Sequence, residues 1–214
     1  MSPIPDTAAR GDTLESFLDR LGARVPTPGG GSAAALSAAL GASLLAMVAN
    51  YTIGRRFAEV EGAMQNYVTE LIELRSRALR VMKEDEEAFK AVGGAYGMPQ
   101  DSDAQRDERA DAIQRALIGA TEPPMAIASI CARLSDVATV LSEKGNRKVL
   151  SDVGIAASCA GAALDGALLN VAINAAQISD ESTRLGVLDS THQMHLDRVA
   201  LHSLVGNVRA KVTD

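Results

Sequence analysis

VPTPGGGSAAALSAALGASLLAMVANYTIG, residues 25–54, carries no charged side chain, and Arg24 and Arg55-Arg56 bracket it. Its second part is dominated by alanine, the strongest helix former, with small side chains that let helices approach closely. The run is long enough to span a membrane. It holds Gly29, Gly30, Gly31, Ser32, Asn50 and Thr52, is apolar mainly through Ala, and lacks an aromatic belt. A helix surrounded by others in a soluble bundle fits better, so no membrane partner is expected.

Working outward, the rest of the chain agrees. Of 214 residues, 47% are hydrophobic and 3% aromatic, with no Trp. Strand-favouring residues do not gather in alternating runs. The expected fold is therefore all-α, a multihelical bundle with long central antiparallel helices. Residues 1–12 read as a flexible tail and 13–214 as one helical domain. Residues 14–21 suit a short helix capped by Asp12 or Thr13, and Ser32 is positioned to cap a central helix ending near Gly54.

The next helix has the clearest pattern. Val60, Met64, Tyr67, Leu71, Leu74, Ala78, Val81, Asp85, Ala88 and Val92 alternate in steps of four and three, a packing seam. Gly93-Gly94 should end it. Residues 101–109 are strongly charged and read as a solvated segment before a helix reaching Ile118. A break at Thr121-Glu122-Pro123-Pro124 precedes a helix to about Ser142. Ser151 or Asp152 should cap a core helix to Ile178, and one amphipathic helix should cover residues 181–211.

Composition narrows function. A net charge of -6 argues against a nucleic-acid surface. Cys131 and Cys159 stand apart from any CxxC pair, so free buried thiols are expected, not a disulfide or zinc site. No signal-peptide pattern is seen, and a cytoplasmic location is the default. His192 and His195 lie three apart without a placed acidic partner, too little for a metal site.

Four groups of residues can carry chemistry. The Pro28-Gly29-Gly30-Gly31-Ser32 turn exposes backbone that can approach a ligand closely, at a helix N-terminus suited to an anionic or carbonyl group. The plain alternative is ordinary helix punctuation. Asp85 is a carboxylate on an apolar seam. Burial would raise its pKa toward general acid–base use. Alternatively it ties to an Arg or a helix end, or turns to solvent. Asn146, Ser151 and Asp152 form a third group, also explicable as capping. Asn170 and Asn174, one turn apart in an apolar helix, either bond across helices or read a ligand's donor and acceptor edge.

In order along residues 14–182, Pro26-Thr27-Pro28-Gly29-Gly30-Gly31-Ser32, Thr52-Ile53-Gly54-Arg55-Arg56, Glu84-Asp85-Glu86-Glu87-Ala88-Phe89, Gly97-Met98-Pro99, Gly145-Asn146, Ser151-Asp152 and Asn170-Val171-Ala172-Ile173-Asn174 resemble the cyclodeaminase/cyclohydrolase family of folate one-carbon enzymes. The motifs look more like the methenyltetrahydrofolate cyclohydrolase branch than the formiminotetrahydrofolate cyclodeaminase branch. Arg55-Arg56 stands where a lysine pair is expected, which keeps charge but alters geometry. The resemblance implies an all-helical homodimer acting on a folate substrate, with no metal and no cofactor beyond that tetrahydrofolate-type substrate. It implies Asp85 as catalytic base and acid, with Asp152 as second candidate. Pro28 to Ser32 would receive the pterin or benzoyl portion, and Asn146, Asn170 and Asn174 would meet ring donors and acceptors. Arg55 and Arg56 would meet the glutamate carboxylates. Ammonia-releasing cyclodeamination, or a non-catalytic helical scaffold, are the alternative readings.

Overall fold

The structure, a computed structural model, describes residues 13–213; the tail expected at 1–12 lies outside them. Among the described residues there are eight α-helices and no strand: α1 Leu14–Gly22, α2 Gly30–Asn50, α3 Glu61–Tyr96, α4 Asp103–Gly119, α5 Glu122–Lys144, α6 Leu150–Ala175, α7 Glu181–Asp189 and α8 His192–Thr213. The all-α expectation holds.

Four long helices, α2, α3, α5 and α6, enclose the main core, and α8 covers α5 and α6 through Leu201, Leu204 and Val208. α2 runs antiparallel to both α3 and α6. Ser32 near the start of α2 meets Asp85 far along α3. Gly166 near the end of α6 faces Ala34 near the start of α2, and Gly41 faces Ala156. A Cβ on Gly41 would come within 3.1 Å of the Ala156 carbonyl oxygen, so α2 and α6 pack backbone to backbone there. The alanine-rich composition permits this spacing. Between α3 and α5, Arg133 grips Glu70 with two hydrogen bonds, of 2.5 and 3.0 Å. That pairing holds the Glu70 carboxyl below its ordinary pKa.

Several expected boundaries shift for local reasons. Thr13 does cap α1, accepting from the Ser16 N–H at 3.1 Å. Ser32 does not cap α2. Gly29 occupies the cap position without a side-chain bond, and Ser32 is fully buried in the first turn. The glycine pair 93–94 does not stop α3, which continues to Tyr96. The charged, solvated segment expected to precede the next helix is already part of α4, started by a reciprocal capping box between Ser102 and Gln105. Residues 181–211 are two helices, because Ser190 and Thr191 turn their hydroxyls back onto the Val187 and Leu188 carbonyls and close α7.

The central pair is also less enclosed than expected. Leu40 on α2 and Ile155, Leu169 and Ile173 on α6 are 52–62% exposed. By length and composition alone, α2, the 103–144 stretch and the 147–175 stretch are each apolar enough to cross a membrane, but each buries half or more of its apolar window against the bundle.

Candidate active site

At the α2 N-terminal end of the bundle the glycine turn, α3, α4 and the last turns of α6 surround a cavity of about 290 Å³. Gly29, Gly30 and Gly31 form one wall, Asp85 and Phe89 another, and Asn170, Asn174 and Gln177 a third. Of the three, Gly31 is needed for space. A Cβ on Gly31 would lie 2.6 Å from Asp85 Oδ2 and closer still to Oδ1, so any larger residue displaces the carboxyl group.

Asp85 sits on the apolar seam of α3, as its spacing predicts, and is half-buried. Ser32 donates Oγ–H to its Oδ2 at 3.3 Å, and the nearby Ser32 backbone N–H also favours the ionised carboxyl. The carboxylate thus serves as the missing cap of α2, supplied from another helix. The bland reading, an Asp tied to a helix end, is therefore part of the answer. Burial nevertheless outweighs both Ser32 interactions, and with the nearby Glu86 charge pushes the Asp85 carboxyl above its ordinary value. A group that is pinned, partly desolvated and open to a cavity is suited to exchanging protons with a ligand.

Asn174 donates Nδ2–H to the Ala120 carbonyl oxygen at 2.7 Å, leaving its Oδ1 as an acceptor. Among the described residues, nothing hydrogen-bonds the Asn170 side chain. Gln177 was missed by sequence reasoning: it lies beyond the last recognisable motif and just past the end of α6.

Two expected residues of the turn support the cavity without lining it. Pro28 is buried behind the loop, its peptide bond with Thr27 cis. Ser32 is buried behind Asp85.

The remaining predicted residues lie elsewhere and are not brought together with Asp85 within one chain. Asp152 and Ser151 occupy the first turn of α6, and Asp152 precedes Asn170 by 18 residues in one helix, about 27 Å. Asn146 lies beside the end of α2. Its backbone N–H donates to Thr52 Oγ1 at 3.0 Å, and its Nδ2 to the Tyr51 carbonyl at 2.9 Å. Its Oδ1 accepts from the Lys148 N–H at 3.1 Å. Arg55 and Arg56 are exposed on a short 3-10 turn, Arg55–Phe57, that follows Gly54 at φ 107°. Ser151 and Asp152 do not cap α6 either; it begins at Leu150 after a second 3-10 turn, Arg147–Val149.

Cys131 is buried, its thiol pushed up to about 12 by desolvation, and Cys159 is half-buried; both are free. Among the described residues no three His, Cys, Asp or Glu side chains come together as a metal site would require. His192 and His195 are exposed at the start of α8.

A helical bundle in which a partly buried carboxyl of raised pKa faces a bare glycine turn across a small cavity has the geometry suited to acid–base chemistry on a bound ligand. Comparison with known proteins gives the family. The family model described as formiminotransferase-cyclodeaminase matches residues 13–193, and the chain belongs to that family. It is 43% identical over 175 residues to a methenyltetrahydrofolate cyclohydrolase of Methylorubrum extorquens, covering 81% of this chain and 84% of the relative. It is 33% identical over 178 residues to the formimidoyltransferase-cyclodeaminase of Rattus norvegicus, covering 83% of this chain but only 33% of that longer protein. A crystal structure of formiminotetrahydrofolate cyclodeaminase from Thermotoga maritima superposes with a TM-score of 0.84 at 29% identity, covering 94% of this chain and 98% of the other.

Proposed function

We propose that the protein is a cytoplasmic methenyltetrahydrofolate cyclohydrolase, hydrolysing 5,10-methenyltetrahydrofolate to 10-formyltetrahydrofolate. The observation that carries this reading is the Asp85 carboxyl, raised in pKa and open to a cavity walled by the Gly29–Gly31 backbone. The cyclohydrolase relative, matched over most of both chains, supports the choice of reaction.

The chemistry follows from the substrate. Its amidinium carbon, bridging N5 and N10, is already electrophilic and needs no metal to activate it. The Asp85 carboxylate takes a proton as water adds to that carbon, giving a neutral carbinolamine. The resulting carboxylic acid returns the proton to N5 as the C–N5 bond breaks. The hydroxyl proton leaves to solvent and the formyl group stays on N10. While ionised, Asp85 also stabilises the cationic substrate. Ser32, bonded to Oδ2, fixes the carboxyl plane.

The chain acts as a homodimer in this reading. A second copy then covers the exposed Leu40 of α2 and Ile155, Leu169 and Ile173 of α6, in an interface of the standard ~800 Å² per partner. In a two-fold antiparallel pairing each copy's Arg55–Arg56 end lies beside the other copy's cavity, where the arginines reach the glutamate carboxylates that a single chain cannot bring to them. Burying these apolar faces in a dimer also fits a protein with no membrane or nucleic-acid partner.

The test is direct. Purified protein should abolish the methenyltetrahydrofolate absorbance without releasing ammonia from formiminotetrahydrofolate. Ammonia release would instead assign cyclodeamination, and absence of both from pH 5 to 9 would leave a non-catalytic scaffold. For the dimer, mixing Asp85→Asn copies with Arg55→Glu/Arg56→Glu copies should restore turnover that neither shows alone.

A further inference from the structure

Gln177 stands at the mouth of the cavity, in the turn that continues α6 after Ala175. Three neighbours hold it. The Tyr96 hydroxyl donates to its Oε1 at 3.1 Å. Gln114 Nε2 donates to its carbonyl oxygen at 3.3 Å, while Gln114 Oε1 accepts from the Ser179 N–H at 2.8 Å, so one carboxamide clamps both sides of the turn. Its own Nε2 donates to the Ile173 carbonyl at 3.4 Å, which sets the orientation of the amide. Tyr96 is itself fixed at the end of α3. Arg109 lies over its ring, 5.7 Å from the centroid, and donates to its carbonyl oxygen from Nε at 3.3 Å and Nη2 at 3.0 Å.

This is much hydrogen bonding to immobilise one glutamine at a cavity rim, and it has a chemical consequence. With Oε1 accepting from Tyr96 and one Nε2 hydrogen on Ile173, the Gln177 amide is fixed in orientation and keeps one N–H to donate. Asn174, three residues earlier, has one Nδ2 hydrogen on Ala120, which fixes its amide, and its Oδ1 is an acceptor unpartnered among the described residues. The wall thus carries an acceptor followed by a donor. A 2-amino-4-oxopteridine presents the complement along one edge, an N3–H donor beside an O4 acceptor.

We infer that Gln177 is a specificity-determining residue that donates Nε2–H to the 4-oxo group of the substrate pteridine, with Asn174 Oδ1 accepting from N3–H, and that Tyr96 is the positioning residue that orients the Gln177 amide. The inference rests on the folate reading above and adds which end of the folate enters the cavity and what reads it.

A 2,4-diaminopteridine folate analogue inverts both positions, with a 4-amino donor and a bare N3 acceptor, and serves as the probe. The wild-type protein should bind methenyltetrahydrofolate in preference to it. Gln177→Glu turns the donor into an acceptor, so the ratio of the two affinities should move at least about tenfold toward the diamino compound. KM for methenyltetrahydrofolate should rise by about the same factor, with kcat within about threefold because Asp85 is untouched. Gln177→Met, which removes the donor without adding an acceptor, should raise KM but leave the diamino compound no better bound. Tyr96→Phe should raise KM about three- to tenfold in the wild-type background and have no further effect in Gln177→Met, since it acts through that side chain. Circular dichroism should show all variants folded. An unchanged affinity ratio in Gln177→Glu, a loss confined to kcat, or additive effects of Tyr96→Phe and Gln177→Met would overturn the inference while leaving the folate reading standing. A wild-type protein that binds no folate would overturn both.

Discussion

The two ends of the α2–α6 pair contain equally suggestive residues and use them in opposite ways. At the far end, Thr52 donates Oγ1–H to the Val48 carbonyl at 2.7 Å and accepts from the Asn146 N–H. Asn146 spends its side-chain amide on the Tyr51 carbonyl and its Oδ1 on the Lys148 N–H. Those hydrogen bonds close the ends of α2 and α5 against each other. At the near end, Asp85 is satisfied only on one side, Asn170 is unspent, and Asn174 and Gln177 each keep one polar atom toward the cavity. Polar residues beside an apolar helix are thus not enough to mark a site. What separates the ends is where the remaining lone pairs and protons point.

The contrast breaks most sharply at Asp85. Asp85→Asn should lower kcat by about 10²–10⁴-fold, the span of a lost general base. The same change should stabilise the fold at neutral pH. The carboxyl pKa is raised in the folded state, so the folded protein binds the extra proton, and the associated stability is present at low pH and lost as pH rises through that raised value. The Asn variant mimics the protonated form. Its melting temperature should exceed that of the wild type at pH 7, and the gap should vanish below the ordinary aspartate range. A variant that is slower and also less stable at pH 7 would show that Asp85 is chiefly a helix cap.

Gly31→Ala tests the same end from the opposing wall. The added methyl displaces the carboxyl group that Gly31 now abuts. Misplacement on the scale of an ångström costs about 10²-fold in rate. Substrate affinity should fall less than kcat, as stopped-flow binding would show. If alanine leaves kcat within about threefold, the glycine turn is helix punctuation after all.

At the far end the expectation reverses. Asn146→Ala removes two side-chain hydrogen bonds and should cost about 1–3 kcal/mol of stability in urea unfolding, with kcat within about threefold. A large kinetic loss with normal stability would show that Asn146, and not only the neighbouring arginines, reaches the site shared between two copies.

Much of this was legible in the sequence, and the failures have physical causes. The four-three spacing of α3 isolated Asp85 because a charge on a packing seam stands out against its neighbours. The start of α4 was equally legible in Ser102 and Gln105, but the surrounding charges drew attention to solvation and away from capping. Helix length alone would have separated Asp152 from Asn170, since 18 helical residues cannot fold back on themselves. Ser32 misled for a deeper reason. Its local context is that of an N-cap, and only the tertiary approach of Asp85 turns it into a donor to another helix. Gln177 carries no local signal, because its significance comes from Tyr96 and Gln114, which lie 81 and 63 residues away along the chain.

The finest test of the contrast is electrostatic and leaves the catalytic group in place. Ser32 is buried, and its hydroxyl contributes one of the two interactions that hold the Asp85 pKa down against desolvation. Ser32→Ala removes that bond and keeps the backbone N–H, so the Asp85 pKa should climb further. Because the base works only when ionised, the acidic limb of the kcat/KM profile follows the free-enzyme pKa. The limb should therefore move to higher pH, while the pH-independent plateau falls only a few-fold. At low pH the variant should be the slower enzyme by a wide margin, and above the limb it should nearly recover. No such displacement should follow Thr52→Ala at the far end, whose hydroxyl bonds only the Val48 carbonyl and the Asn146 N–H. A limb that stays in place in Ser32→Ala would mean that the group seen in the profile is not Asp85, and the assignment of the near end would have to be rebuilt around another acid.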